Sequence, residues 1–305
     1  YNYSGSTSRE VTYNAGDTIT YPTIPTRSEY QFRGWFTDSA CTEFFDFTEE
    51  LTEDITLYAQ WKEVIEGAVY VGAGLDYATL DEAVAGAPEG SKIILAAGEY
   101  TLSVVISKNL EIVGPNADLP YGEQTNPEAL INVAKDVAGN LAAKNIEFNG
   151  VHLKGTGGGA GIPGVFFQDG GNIETLTFKS CVVSDMNTFV KFVNSNSNLE
   201  LLIEDCHIHT IGQFIVWTQT AETQKVILRS NIVDASNCGA VTNAAAALFR
   251  VRSGSLEAYD NLFKGDSLNA PGYFELSAAD GNSTVKYNTF DGVTKYVHPS
   301  ANTYT

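Results

Sequence analysis

The sequence predicts an all-β chain, in which a small strand-rich module precedes a long parallel β-solenoid capped by one short helix. Three observations carry this. Strand-length runs with alternating apolar residues recur at intervals of about 25 to 30 residues, one turn of a large β-helix. One segment, "YATLDEAVAGAP", has helical spacing and stands just before the first such runs. Gly, Asn, Thr and Tyr are frequent while Met occurs once, a composition of strands and turns.

With 305 residues the chain can bury one large core and a small satellite. It is 43% hydrophobic and 11% aromatic, too rich for a disordered chain. No apolar run approaches the roughly 20 residues that span a bilayer, so no membrane insertion is expected. The chain opens without Met or a signal-like segment, as a mature chain would. Its net charge is −19. Such a surface repels nucleic acid and anionic membranes and suits a secreted or wall-exposed protein. Cys41, Cys181, Cys206 and Cys238 show no CxxC spacing and leave the redox compartment open.

Residues 1–62 read as short alternating strands broken by Asn14-Ala15-Gly16-Asp17 and by Pro22 and Pro25. Tyr30, Phe32, Trp35, Phe44, Phe47, Ile55, Leu57 and Trp61 form the expected aromatic core. A core this small is marginal alone, so a rigid neighbour or serial repetition would help it. The stretches "PTRSEYQFRGWFTDSAC" and "FDFTEELTEDITLYAQW" closely resemble the Listeria–Bacteroides repeat, or internalin B-repeat, a small β-grasp-like module. That resemblance implies an extracellular bacterial surface or secreted protein with the module as spacer or weak interaction unit. It brings no catalytic residues.

Residues 63–67 read as a linker and 68–305 as the solenoid. In the helix, Leu80, Ala83, Val84 and Ala87 share a face, and Thr79 with Glu82 makes a capping box. The strands "KIILAAGEYTL" and "NLEIVGP" follow. This order, with the long loop "GPNADLPYGEQTNPEALI", resembles the opening end of pectin-lyase-like folds. The resemblance implies a single-stranded right-handed parallel β-helix with an N-terminal capping helix.

Six segments then align: "IEFNGVHLKG", "LTFKSCVVSD", "LLIEDCHIHT", "VILRSNIVDA", "LEAYDNLFKG" and "STVKYNTFDG". One column reads Val151, Cys181, Cys206, Asn231, Asn261, Asn288. Two residues on stand Leu153, Val183, Ile208, Val233, Phe263 and Phe290. Upstream columns are Ile146, Leu176, Leu201, Val226, Leu256 and Phe148, Phe178, Ile203, Leu228, Val285. Period-2 alternation stacked at such intervals is what a β-helix interior needs.

The most reactive-looking stretch, "LIEDCHIHT" at 202–210, is therefore first a rung of the repeat. Cys181 and Cys206 are expected as stacked core thiols, since a disulfide between them would need demanding geometry. His207 and His209 alternate outward as His-x-His, the weak candidates for a metal site. Exposed strand histidines are more often solvated, so neither metal nor cofactor is expected.

Each coil has a further strand: "VFFQD", "FVKFV", "FIVWT", "LFRVR" and "YFELS". Placing Phe167, Val190, Phe192, Phe249, Val251, Phe274 and Leu276 inward leaves two outward rows. One holds Phe166, Phe189, Phe214, Leu248 and Tyr273. The other holds Gln168, Lys191, Val216, Arg250 and Glu275, with Arg252 beyond and Trp217 the alternative at "FIVWT". The functional reading is a sugar-binding track of aromatic faces and orienting polar groups. The structural reading is that 155–164 and 236–246 cover this face, with Arg250–Glu275 a plain cross-strand ion pair.

A glycosidase needs two carboxylates roughly 5–10 Å apart. Asp169 and Glu275 fall four rungs apart, about 19 Å at strand spacing. The clustered acids of a calcium-dependent pectate lyase are absent, and so are the Gln, Asp and Arg motifs of pectin methylesterases. A lyase using Lys191 or Arg250 as base remains the enzymatic alternative. The leading expectation is a monomeric, non-catalytic, adhesin-like module that binds polysaccharide or host-matrix glycan. A purely structural stalk is the third reading.

Overall fold

The structure, a computed structural model, describes residues 7–72, 75–134, 140–141, 143–155, 165–169, 173–192, 199–218, 224–236, 248–251, 254–265, 273–276 and 283–293. At the front, Tyr30–Phe36 pairs antiparallel with Tyr58–Glu63, with a register shift between Phe32 and Gly34. Gly34 has φ +138, and a Cβ there would stand 2.7 Å from the Phe44 ring, so glycine lets the strand bulge against that ring. Phe32, Trp35 and Ala59 form the small core, flanked by Ile24, Phe47, Leu57 and Trp61. Two expected members are not inside: Phe44 is 39% and Ile55 37% exposed. In so small a module there is too little interior for every aromatic and aliphatic side chain.

The next strand is Ala68–Val71, then the helix Leu80–Gly86. Thr79 accepts from the Glu82 amide and Glu82 from the Thr79 amide, the capping box expected from sequence. Leu80, Ala83 and Val84 are buried in the main core. Asp81 ties the exposed side of the helix to Ser103, accepting from its amide and its hydroxyl.

The rest is a parallel β-solenoid of three sheets. The first sheet has nine strands, from Ala68–Val71 to Thr284–Lys286. The second has eight, from Gly98–Leu102 to Thr289–Asp291. The third has six, from Asn140–Leu141 through Val165–Asp169, Met186–Phe192, Ile211–Thr218 and Phe249–Val251 to Phe274–Leu276. On the first sheet Ile146, Leu176, Leu201, Val226 and Leu256 are in register, as are Phe148, Phe178, Ile203, Leu228, Ala258 and Val285. Leu153, Val183, Ile208, Val233, Phe263 and Phe290 are in register on the second. Phe148 and Phe178 stack at 5.4 Å in the interior.

The corner from first to second sheet turns on one left-handed residue per rung: Gly150, Ser180, Asp205, Ser230, Asp260 and Tyr287. Ser and Asp tolerate this conformation at modest cost; Tyr287 does so while 79% exposed. Beneath the corner runs a side-chain ladder. Asn261 Oδ1 accepts the Asn231 amide at 2.9 Å, and Asn288 Oδ1 the Asn261 amide at 2.9 Å. Their Nδ2 groups donate to carbonyls of the first sheet, including Ile203, Leu228 and Ala258. Buried amide groups are thus satisfied along the axis as well as within each sheet.

Candidate functional site

The third sheet carries the residues that sequence reasoning favours. Its register places Gln168, Lys191, Trp217, Arg250 and Glu275 on successive rungs of one row. Trp217 rather than Val216 is the member at that level, and Val216 is fully buried. Gln168, Lys191 and Arg250 are half-buried. Arg252, the side chains of Trp217 and Glu275, and most of 155–164 and 236–246 lie outside the described residues.

The aromatic row does not face outward. Phe166, Phe189, Phe214 and Tyr273 are each at most 2% exposed. Phe189 meets the Phe178 and Phe167 rings at 4.6 and 5.6 Å, deep in the core. A register shift after Met186 pairs Thr188, not Phe189, with Phe214, so simple alternation fails in these strands. Phe166 packs on the bend at Gly155, where a Cβ would stand 2.9 Å from its ring. Tyr273 donates its hydroxyl to the Lys264 carbonyl at 2.7 Å and packs on Phe263. Phe214 lies below Arg250, whose guanidinium carbon is 5.7 Å from the ring centroid. What remains on this face is a polar row, with Phe214 beneath Arg250.

A second cluster occupies the outer face of the second sheet, where sequence reasoning placed His207 and His209 but missed His152 and Glu128. His152 Nδ1 is 2.8 Å from Glu128 Oε2, and His152 Nε2 is 2.9 Å from Ser184 Oγ. His152 and His207 both pair with Val182, from opposite sides. The loop 114–128 reaches this face: Gln124 donates to the Ser180 carbonyl at 2.7 Å, and Tyr121 packs on His207 at 4.2 Å. No signal in "VHLKG" marks His152, because Glu128 and Ser184 reach it only through the fold.

Carboxylate, imidazole and hydroxyl in series resemble an acyl-transfer triad. Two features commit the group to structure instead. Ser184 is 1% exposed. Its hydroxyl also has Asp185 Oδ2 at 3.2 Å, and a single proton donated there is not donated to His152. The hydrogen bond from His152 holds Glu128 below the usual carboxylate range. Burial lowers His209, and it pushes His207 down to about 4. His207 Nδ1 is buried with no hydrogen-bond partner among the described residues. The His207 and His209 rings stand 4.9 Å apart, and no group of three or more His, Cys, Asp or Glu is placed to hold a metal among the described residues.

Comparison with known proteins agrees with the first segment's resemblance. Residues 1–60 match the family model of the Listeria-Bacteroides repeat domain. A protein of Evansella cellulosilytica, provisionally named a membrane protein, is 39% identical over 101 residues, 32% of this chain and 15% of that protein. Another from the same organism, provisionally named a Gly-rich membrane protein, is 41% identical over 59 residues, 19% of this chain and 7% of its own length. The chain thus spans a small part of these relatives. Among the described residues no helix is long and apolar enough to cross a membrane. The pectin methylesterase of Aspergillus niger aligns over 80% of this chain and 93% of its own, at 14% identity and a TM-score of 0.38.

Proposed function

We propose that this chain is part of a bacterial surface or secreted protein whose solenoid binds an acidic polysaccharide, without turnover, on the outer face of the third sheet. One observation carries the reading: Lys191 and Arg250 flank Trp217 on consecutive rungs of a chain with net charge −19. Two strand spacings set the cations about 10 Å apart. A short basic strip in a negative field favours a polymer with scattered acidic groups and disfavours a dense polyanion. The repeat domain and the names of the relatives support the outward address. Absence of turnover is supported by the sealed Ser184 and by the four-rung separation of Asp169 and Glu275.

Binding is expected in the micromolar to millimolar range and to weaken with salt, since partly solvated charges each contribute little. A glycan array followed by titration tests it, comparing wild type with Lys191→Ala/Arg250→Ala. The double variant should lose uronate or sialylated hits. Unchanged binding would remove this face as the site, and release of unsaturated sugars by wild type would make the protein a lyase.

A further inference from the structure

Where the front module meets the solenoid, two cations adjoin one small cavity. Arg33 is 6% exposed and donates Nη2 to the Leu95 carbonyl at 2.6 Å, its one side-chain hydrogen bond among the described residues. Lys62 stands on the partner strand, opposite Gln31 and one residue out of step with the Arg33 bulge. Both line a cavity of 80 Å³, which Gln60 borders from the module and Ala97, Pro115 and Asn126 from the solenoid. Neither forms an ion pair with a carboxylate among the described residues.

That arrangement runs against the composition. The chain has 37 acids for 18 Lys and Arg, yet here two cations adjoin with no acid between them. A guanidinium carries five donors, and burying it costs free energy unless those donors and its charge are met. Asn126 uses its main-chain amide, its main-chain carbonyl and its Nδ2 to hold the 115–126 loop together.

We propose that the cavity between Arg33 and Lys62 binds a tetrahedral oxyanion, a phosphate or sulfate group. An arginine fork beside a lysine point charge matches three or four oxygens around one centre. The volume admits such an ion, since on the same measure a single water needs only about 10–15 Å³. On the far side of Arg33 lies a larger cleft of 510 Å³, lined in part by Asp81 and Glu99. Those acids bond Ser103 and Asn132 and repel an anion, so they confine it to the Lys62 side. Burial lowers the Arg33 pKa; the Lys62 pKa is lowered by partial burial first and by the Arg33 charge second, while Lys62 as a residue stays open to solvent. The site is independent of the third sheet and does not rest on glycan binding there.

The test uses the whole chain. Calorimetric titration and thermal melts are run with inorganic phosphate, sulfate, glycerol 3-phosphate and acetate, with chloride holding ionic strength constant. Phosphate and sulfate should bind and raise Tm beyond chloride, and acetate should not. Lys62→Gln should weaken binding about tenfold and abolish the specific rise. Because sulfate and phosphate stabilise proteins generally, only the part lost in Lys62→Gln counts. Arg33→Gln should act likewise but risks the fold, so Lys62→Gln decides. Binding of glycerol 3-phosphate at least as tight as phosphate assigns the group to a larger molecule, and weaker binding assigns a free ion. Equal Tm in phosphate and chloride, or an unchanged response in Lys62→Gln, would overturn the proposal.

Discussion

Cys206 takes the place of an asparagine above Cys181 and below Asn231. Asn231 Oδ1 accepts the Cys206 amide at 3.0 Å, and Cys206 Sγ accepts the Cys181 amide at 3.4 Å. The thiol also stands 3.5 Å from the Phe178 carbonyl, the counterpart of the carbonyl that Asn231 Nδ2 bonds one rung on. Sulfur thus continues the ladder with weaker bonds.

The first prediction follows from that equivalence. Cys206→Ala should cost about 1–3 kcal/mol, through a small cavity and an unmet amide. Cys206→Asn should retain wild-type stability or exceed it, because the successive rungs on one side, Asn231, Asn261 and Asn288, already house the carboxamide. Urea denaturation measures both. A loss as large for Asn as for Ala would reduce the thiol to a space-filler.

Thiol chemistry supplies the second. Cys181 and Cys206 are free and fully buried, and burial pushes the Cys206 thiol well up. In native protein at neutral pH both should resist a thiol reagent that labels them at once in denaturant. Rapid native labelling, or a Cys181–Cys206 bridged peptide, would contradict the packing described.

The third concerns acid. His207 titrates at about 4 in the fold against 6.5 in the unfolded chain, because burial disfavours its charge and His209 adds repulsion. The unfolded state therefore binds the extra proton, and this group removes stability as pH falls from about 6.5 to about 4. Thermal melts of wild type should decline more steeply across that window than those of His207→Gln. Superimposable pH profiles would refute it.

The fourth separates architecture from catalysis on the second sheet. A fluorophosphonate probe should leave Ser184 unlabelled, and His152→Ala should lower stability by no more than about 1 kcal/mol, because Ser184 keeps Asp185 as a partner and Glu128 faces solvent. Labelling that disappears in His152→Ala would make this an ester hydrolase.

The interior columns of the first two sheets could be read from sequence because each rung there alternates strictly and one face is apolar. The capping box was equally legible, being local. The column from Val151 to Asn288 was visible as a column, yet its hydrogen bonding was not, since Cys and Asn share a donor and acceptor role that hydropathy hides. On the third sheet both Phe166 and Phe167 are buried, so strict alternation, which set both neighbours of Phe167 outward, failed on the aromatic side. His152 and Arg33 escaped notice for another reason: each meets its neighbours only across tens of residues.

From Ile146 onward the corner between the first two sheets keeps one length: Ile146 to Leu153, Leu176 to Val183, Leu201 to Ile208, Val226 to Val233 and Leu256 to Phe263 span equal intervals, whereas the preceding rung takes in the loop 114–128 between Leu110 and Ile131. From that point on, the differences in coil length fall on the return path through the third sheet. Beyond the 114–128 loop, insertions and deletions are therefore confined to one flank of the solenoid. One residue added at the corner would break the ladder and turn the side chains beyond it inside out. The same residue added on the return path only lengthens a loop, so that flank can diversify while the column of asparagines and thiols stays unchanged.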